Sequence, residues 1–278
     1  MTSIIIPAHN EENVIERCLR PFKRSIDNKE VEVIVVCNGC TDQTANRVSV
    51  ISDRIKCIET DTASKANALN IGDSAANFFP RFYIDADISI SMEAISAISK
   101  ALECEYLAAS PEVHMDLSAS SWPVKAYYDV WFSLPYCKTG MVGAGVYALS
   151  CDGRGRFNKF PDIISDDGFV RCLFKEYERG FIHGYYSIVK APSNLSDLIK
   201  IKTRSRLGRY ELKDKFTENM SNEEKHYISS FLELMLDIKM WPKIFLYLAI
   251  NLYTRVRARW QKKNNMLIWE RDNSSRSI

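Results

Sequence analysis

The chain has 278 residues, 46% of them hydrophobic and 26% charged, a composition of ordinary globular proteins that suits one large domain or one domain with an appendage better than three. The net charge of +2 hides an asymmetry: residues 200–278 carry 17 Lys and Arg against 9 Asp and Glu, whereas the first 199 carry 20 against 26. Eight scattered cysteines exclude a disulfide-stapled scaffold and point to a reducing compartment, while the basic C-terminal part asks for an anionic partner and the acidic remainder excludes a nucleic-acid face there.

The opening MTSIIIPAHN enters a strand directly, with no basic segment and apolar core of a secretory leader before it, so a cytoplasmic protein is expected. Ser3–Ile6 is a β-branched run ended by Pro7, and Asn10, Glu11 and Glu12 open a helix carrying Val14, Ile15, Cys18 and Leu19. Val31–Val36 is a second strand, followed by the turn residues Asn38 and Gly39, with Thr41 and Asp42 capping a helix through Val48. Cys37 and Cys40 have the spacing of a redox or zinc half-site, but no second pair completes it and they are read as structural. Ile55–Ile58 is a third strand, 63–76 a helix of small residues, and Phe82–Ile84 a fourth strand. This alternation predicts a mostly parallel sheet flanked by helices, an α/β fold. In such sheets ligands sit beyond the carboxyl ends of the strands, so Pro7–Glu11, Asn38–Asp42 and Asp85–Asp87 should converge on one crevice.

Asp85 and Asp87 stand one residue apart at a strand end, where like charges disfavour each other's ionisation. A divalent cation between them resolves this, since Mg²⁺ typically takes one or two carboxylates plus substrate phosphates; a solvated loop is the competing reading. A helix follows to Glu103. Trp122, Tyr127, Tyr128, Trp131 and Phe132 then recur at helical spacing and are read as core. Gly143, Ala144 and Gly145 precede a strand and let backbone approach a ligand. Asp166 and Asp167 head an apolar-periodic helix, where the helix dipole favours acidic groups, so capping competes with catalysis. His183 is a candidate third metal ligand, read as structural, and His9 belongs to loop structure. Towards the end, Trp241, Phe245, Leu248, Leu252 and Val256 form a stripe followed by Arg255, Arg257, Arg259, Lys262 and Lys263. That is the composition of a helix lying in a membrane interface, or of one docking its stripe on the catalytic domain with its cations solvated. The apolar run from Ile244 to Tyr253 is too short to span a bilayer.

Six segments, in order, resemble the motifs of the family 2 nucleotide-sugar glycosyltransferases: SIIIPAHNEE, VIVVCNGCTDQT, ASKANALNIG, IDAD, ISDD and RLGRY. The resemblance runs from Thr2 to Tyr210. It implies a GT-A fold, a Rossmann-like sheet with a C-terminal helical, basic extension, and inversion at the anomeric centre. Residue by residue, it implies that Pro7, Ala8 and Glu11 line the base and ribose pocket, that Asp42 helps close it and that Lys65 lies near the nucleotide. Asn38 stands where the family often has an acidic residue that reads uracil. Asp85 would face the sugar or ribose and Asp87 would hold the Mn²⁺ or Mg²⁺ bridging the diphosphate. Asp167 would be the base, beside Asp166, which replaces the more common Glu, and Arg206, Arg209 and Tyr210 would cover the diphosphate. Arg206 and Tyr210 depart from the Gln and Trp that accompany processive, membrane-spanning synthases, which points to transfer of one sugar.

The expected organisation is a catalytic domain over 1–199, with a nucleotide-binding half to residue 90 and an acceptor half beyond it, and a helical segment over 200–278. The expected activity is an inverting hexosyltransferase-type transfer from a UDP-sugar donor to a glycan or lipid-linked glycan, peripheral on the inner membrane face where the tail meets anionic lipid. A nucleotidyltransferase acting on sugar phosphates is the alternative enzyme, although PAHNEE is acidic and lacks the Gly-rich basic loop of that class. A non-catalytic anionic-surface binder is the alternative outside enzymes.

Overall fold

The structure, a computed structural model, describes residues 1–134, 137, 144–217, 234–264, 266, 272 and 274–276; Gly143 lies outside them. The described residues divide into two compact units, one from Met1–His114, Met141–Asp162 and Leu173–Val189, the other from Met115–Gly140, Ile163–Cys172 and Lys190–Ile278.

The first unit is built on an eight-stranded sheet, β1 (Thr2–Ala8), β2 (Val31–Asn38), β3 (Lys56–Thr60), β4 (Arg81–Ile84), β5 (Ser89–Ile90), β6 (Ala108–Asp116), β7 (Val146–Leu149) and β8 (Arg179–Lys190), in the order β3-β2-β1-β4-β7-β6-β8-β5. The parallel arrangement expected from the sequence holds for β3, β2, β1 and β4. Beyond them β7 runs antiparallel to both β4 and β6, and β5 pairs antiparallel with β8.

The helices of this unit are α1 (Ile15–Leu19), α2 (Lys23–Asp27), α3 (Thr44–Ile51), α4 (Lys65–Ala75) and α5 (Met92–Cys104). Alternation along the strands decides which helices each face meets. Ile4, Ile6, Val33 and Val35 share one core with Ile15, Leu19, Phe22, Val48, Ile95 and Ile98. Ile5 and Val36 point the other way, against α4 at Gly72, where an added Cβ would come within 2.5 Å of Ile5 Cγ2.

Two helix starts differ from the sequence expectation. The first helix begins at Ile15 rather than Asn10, because Asn10 takes φ 51° and the Glu11 amide donates to the Thr44 hydroxyl at 2.8 Å. The third begins at Thr44 because Asp42 accepts from the Thr44 amide at 3.0 Å while the Thr41 amide donates to Asn10 Oδ1 at 2.7 Å.

The second unit contains α6 (Trp122–Phe132), α8 (Asp166–Leu173), α9 (Leu195–Lys215) and α10 (Trp241–Lys263); a single turn, α7 (Cys151–Arg154), belongs to the first. Val124, Tyr127, Tyr128, Leu198 and Ile250 form its core, with Trp131, Phe132, Leu246 and Tyr247 packed on it. The expected aromatic core therefore forms except at Trp122, which is 59% exposed at the first helical position. Lys202 Nζ lies 5.0, 5.1 and 4.9 Å from the ring centres of Tyr127, Tyr128 and Trp131, and burial pushes its ammonium down to about 8. One face of α10, with Ile244, Ile250, Thr254, Ala258 and Gln261, is buried. The predicted stripe is on the opposite face, exposed at Trp241, Phe245, Leu248, Leu252 and Val256, so the docking of that stripe does not occur among the described residues.

Candidate active site

Parallel pairing aligns the ends of the first strands, Ala8 opposite Cys37 and Asn38 opposite Thr60, so the loops after β1 and β2 leave the sheet side by side. Hydrogen bonds stitch them together. The Asn38 amide donates to the Ala8 carbonyl at 2.8 Å, the Cys40 thiol donates to the same oxygen at 3.5 Å, and His9 Nδ1 lies 2.6 Å from the Asn38 carbonyl oxygen. The Glu12 amide donates to Asp42 at 3.1 Å, and the Gln43 amide returns a bond to Glu12 at 3.0 Å. Burial acts to raise the Asp42 carboxyl, but the Thr44 hydroxyl and the Glu12 and Thr44 amides outweigh it and hold the group below the usual carboxylate range. Pro7, Ala8, Glu11 and Asn38 are all buried. Gly39 turns the second loop at φ 59°, where a Cβ would stand 2.8 Å from Ala63 Cβ, a position that suits glycine alone. Cys40, singled out only for its spacing to Cys37, proves to be a staple between the two loops.

At the end of β4, Asp85 and Asp87 are both partly exposed. Lys65, the first residue of α4, places Nζ 2.7 Å from Asp85 Oδ1. The Asp85 amide donates to the Gly145 carbonyl at 2.8 Å, and Gly145 has φ 79° with its absent Cβ only 3.0 Å from Asp85 Oδ2. The guanidinium of Arg17 donates to the Asp87 carbonyl at 3.1 Å. Beneath them lies Cys18, whose buried thiol is pushed well above its usual range by burial and by the charges of Asp87, Asp85 and Glu11, with Arg17 opposing. Glu11, Asp85 and Asp87 thus bring the first and third of the expected loops towards Cys18, and the hydrogen bonds above tie the second loop to the first. Arg17 and Cys18 were missed in the sequence, where they look like ordinary members of an amphipathic helix.

Among the described residues no group of three His, Cys, Asp or Glu could hold a metal ion. Two neighbouring carboxylates nevertheless fit a hard cation that completes its shell with phosphate and water, and Asp85 and Asp87 are the pair that could hold one. His183, on β8, is exposed and sits 3.0 Å from Glu112 on the neighbouring β6. A cavity of about 370 Å³ lined by Phe79, Pro80, Leu107 and Ser150 opens at the start of β4, the end opposite Asp85.

In the second unit, Asp166 and Asp167 begin α8, Asp166 buried and Asp167 partly exposed. Asp167 Oδ1 accepts from the Ser165 hydroxyl and the Gly168 amide, each at 2.7 Å. This segment crosses α9 at two glycines: a Cβ on Gly208 would come within 2.9 Å of Ser165 Cβ, and one on Gly168 within 2.7 Å of Leu212. The Ile164 amide also donates to Glu211 at 2.8 Å. The two acidic residues are therefore held beside the segment that carries Arg206, Arg209 and Tyr210. Arg206 donates to the Thr254 hydroxyl at 3.0 Å and to Asn251, Tyr210 has Lys262 over its ring, and Arg209 is exposed.

The family model for glycosyl transferase family 2 matches residues 3–157. No curated protein matches. Among solved structures, the chain is similar to a mannosyltransferase from Pyrobaculum calidifontis in complex with GDP-mannose and Mn²⁺, at 16% identity and a TM-score of 0.57, over 93% of this chain and 71% of that one. It is also similar to glucosyl-3-phosphoglycerate synthase from Mycobacterium tuberculosis in complex with Mn²⁺, UDP-glucose and phosphoglyceric acid, at 16% identity and 0.55, over 77% of this chain and 79% of that one. At these identities the likeness is one of fold: a GT-A-like α/β sheet flanked by helices, with a C-terminal helix.

Proposed function

The chain belongs to glycosyl transferase family 2 and is a nucleotide-sugar glycosyltransferase; we propose that it moves a single sugar, with inversion, from a UDP-linked donor to a hydroxyl of a glycan or lipid-linked glycan. The observation that carries this reading is the grouping of Glu11, Asp85 and Asp87 at one sheet edge, with Lys65 on Asp85 and the two stitched loops alongside. In this reading Pro7, Ala8 and Glu11 border the nucleoside, and Asn38 and Asp42 fix the loops that surround it. Asp85 orients the ribose or sugar. Asp87 holds Mn²⁺ or Mg²⁺, and Mn²⁺ is bound in both solved complexes above; when bound, such an ion neutralises charge developing on a departing diphosphate.

Asp167 takes the acceptor proton, its carboxylate oriented by the Ser165 hydroxyl and the Gly168 amide on Oδ1. With Arg206 held by Asn251 and Thr254, the diphosphate contact falls to Arg209, with Tyr210 alongside. The partner of the basic C-terminal helix is an anionic membrane surface.

The direct experiment is a thermal-shift series with nucleoside diphosphates and Mn²⁺, followed by product analysis on the donor sugars of the stabilising nucleotide. UDP with Mn²⁺ should raise the midpoint and chelator should reverse the rise. Absence of stabilisation by any nucleoside diphosphate with metal, together with absence of turnover, would overturn the reading.

A further inference from the structure

The outward face of α10 is apolar for its first four turns and cationic thereafter. Trp241, Phe245, Leu248, Leu252 and Val256, spaced by four, three, four and four, fall on one side of the helix and are between 51% and 77% exposed. Just before the helix, Met235, Leu236 and Ile238 are exposed as well. Arg255, Arg259 and Lys263 continue the same exposed side at the C-terminal end. No Asp or Glu occurs from Trp241 to Lys263. Lys243 and Lys262 pair with Asp129 and Asp214, whereas among the described residues no ion pair joins Arg255, Arg259 or Lys263.

A contiguous apolar surface of this extent marks an interaction site, and the charge pattern selects its occupant. A second copy of this face would bring apolar stripe and cations but no carboxylate to meet the three basic groups. No described helix is long and apolar enough to cross a membrane. An anionic bilayer meets both needs, with acyl chains for the stripe and lipid phosphates for the basic end.

We propose that α10 is a membrane-docking element lying obliquely in the interface of an anionic bilayer, with the side chains from Trp241 to Val256 among the upper acyl chains and Arg255, Arg259 and Lys263 at the phosphates. This rests on the anionic-surface reading of the helix above and is independent of the sugar chemistry. Binding is measured without donor or acceptor, so its failure leaves the transferase reading intact.

The test is co-sedimentation of the full chain with vesicles of phosphatidylcholine alone, or of phosphatidylcholine with phosphatidylglycerol. The wild type should pellet with the second kind only, and less at high salt. Phe245→Glu with Leu252→Glu should abolish pelleting. Arg255→Glu with Arg259→Glu and Lys263→Glu should weaken it at least about tenfold, since each cation near such a surface is worth about fivefold in partitioning. All five positions are exposed, so both variants should unfold at the wild-type midpoint; should either fail to fold, the wild-type comparison of the two vesicle kinds decides alone. No pelleting at low salt, or equal pelleting with both vesicle kinds, overturns the proposal. A lipid-free dimer that Phe245→Glu with Leu252→Glu converts to monomer also overturns it, assigning the face to a second copy.

Discussion

The ammonium of Lys65, at the first turn of α4, and the carboxylate of Asp85, at the end of β4, are 2.7 Å apart. The pair joins a helix that packs on one face of the sheet to the strand end that carries both aspartates. It also fixes the orientation of the Asp85 carboxylate. Both side chains are partly exposed, so the pair itself adds little stability. Its importance is for geometry. Lys65→Met should therefore leave the melting temperature nearly unchanged while raising KM for the donor, and Asp85→Asn should lower kcat/KM by about 100-fold or more, in line with removal of an oriented charged contact. Steady-state kinetics on the stabilising nucleotide sugar, beside melting curves, check both.

Gly145 and Gly184 offer a matched comparison. Both have positive φ, 79° and 81°, but a Cβ at 145 would press on Asp85 and Ile88, whereas at 184 nothing lies within 4 Å. Gly184→Ala should cost about 1–2 kcal/mol of backbone strain and leave turnover intact. Gly145→Ala should cost more and lower turnover at least about tenfold, because a misplaced carboxylate is felt in the chemistry. Denaturant unfolding and kinetics on the pair separate the two effects.

Asp167→Asn should lower kcat by about 10²–10⁴-fold, the usual worth of a general base, with donor binding preserved in calorimetry. Ser165→Ala should produce a smaller loss by freeing the carboxylate to rotate. Near-normal turnover in Asp167→Asn would assign Asp167 to capping α8 and nothing else.

Asp73 is the hub of a buried network in the first unit. Its carboxylate meets Arg81 at 2.8 Å and Arg154 at 2.7 Å and accepts from the Tyr83 hydroxyl at 2.5 Å. Burial would raise the group, but Arg154, Tyr83 and Arg81 outweigh it and hold it below the usual carboxylate range. A depressed carboxylate adds stability above its unfolded value, about 3.9, and that stability is lost as pH falls through the folded value. Asp73→Asn should cost about 3–5 kcal/mol near neutral pH by leaving two buried guanidinium groups uncompensated. The difference from wild type should narrow below about pH 4, which chemical unfolding across pH would show.

Lys202 is the converse case in charge: its ionised form is the disfavoured one. Its folded value of about 8 lies below the usual lysine range, so between about 8 and 10.4 the unfolded chain binds the extra proton and stability rises with pH. Lys202→Met should therefore be most stabilising, relative to wild type, at neutral pH, and its advantage should shrink as pH rises through that window. The same unfolding series on the two proteins measures it.

The first half of the fold was legible because its signals are local. β-branched runs, turn residues and small-residue helices name β1, β2, β4 and α4 within a few positions, and the parallel order follows from their alternation. The insertion of β7 between β4 and β6 was not legible, since Tyr83 pairs with Tyr147 across a long stretch of chain without a local marker. The same holds at the site. Asp85 and Asp87 announce themselves as two like charges in sequence, whereas Arg17 joins them only through the packing of α1. Arg206 resembles a phosphate-binding residue in its motif, and only the docking of α10 reveals Asn251 and Thr254 on its guanidinium.

The bond from the Asn38 side chain to the Ala8 carbonyl has a bearing on donor engineering. The side-chain amide already spends one of its two hydrogens on the protein's own main chain, which fixes its orientation as a tie between the loops. Replacing it with aspartate to impose uracil preference would leave a carboxylate facing a carbonyl oxygen and drive the two loops apart. A change of nucleotide preference at this edge therefore has to begin with a substitute for that internal tie, and only then add a group that reads the base.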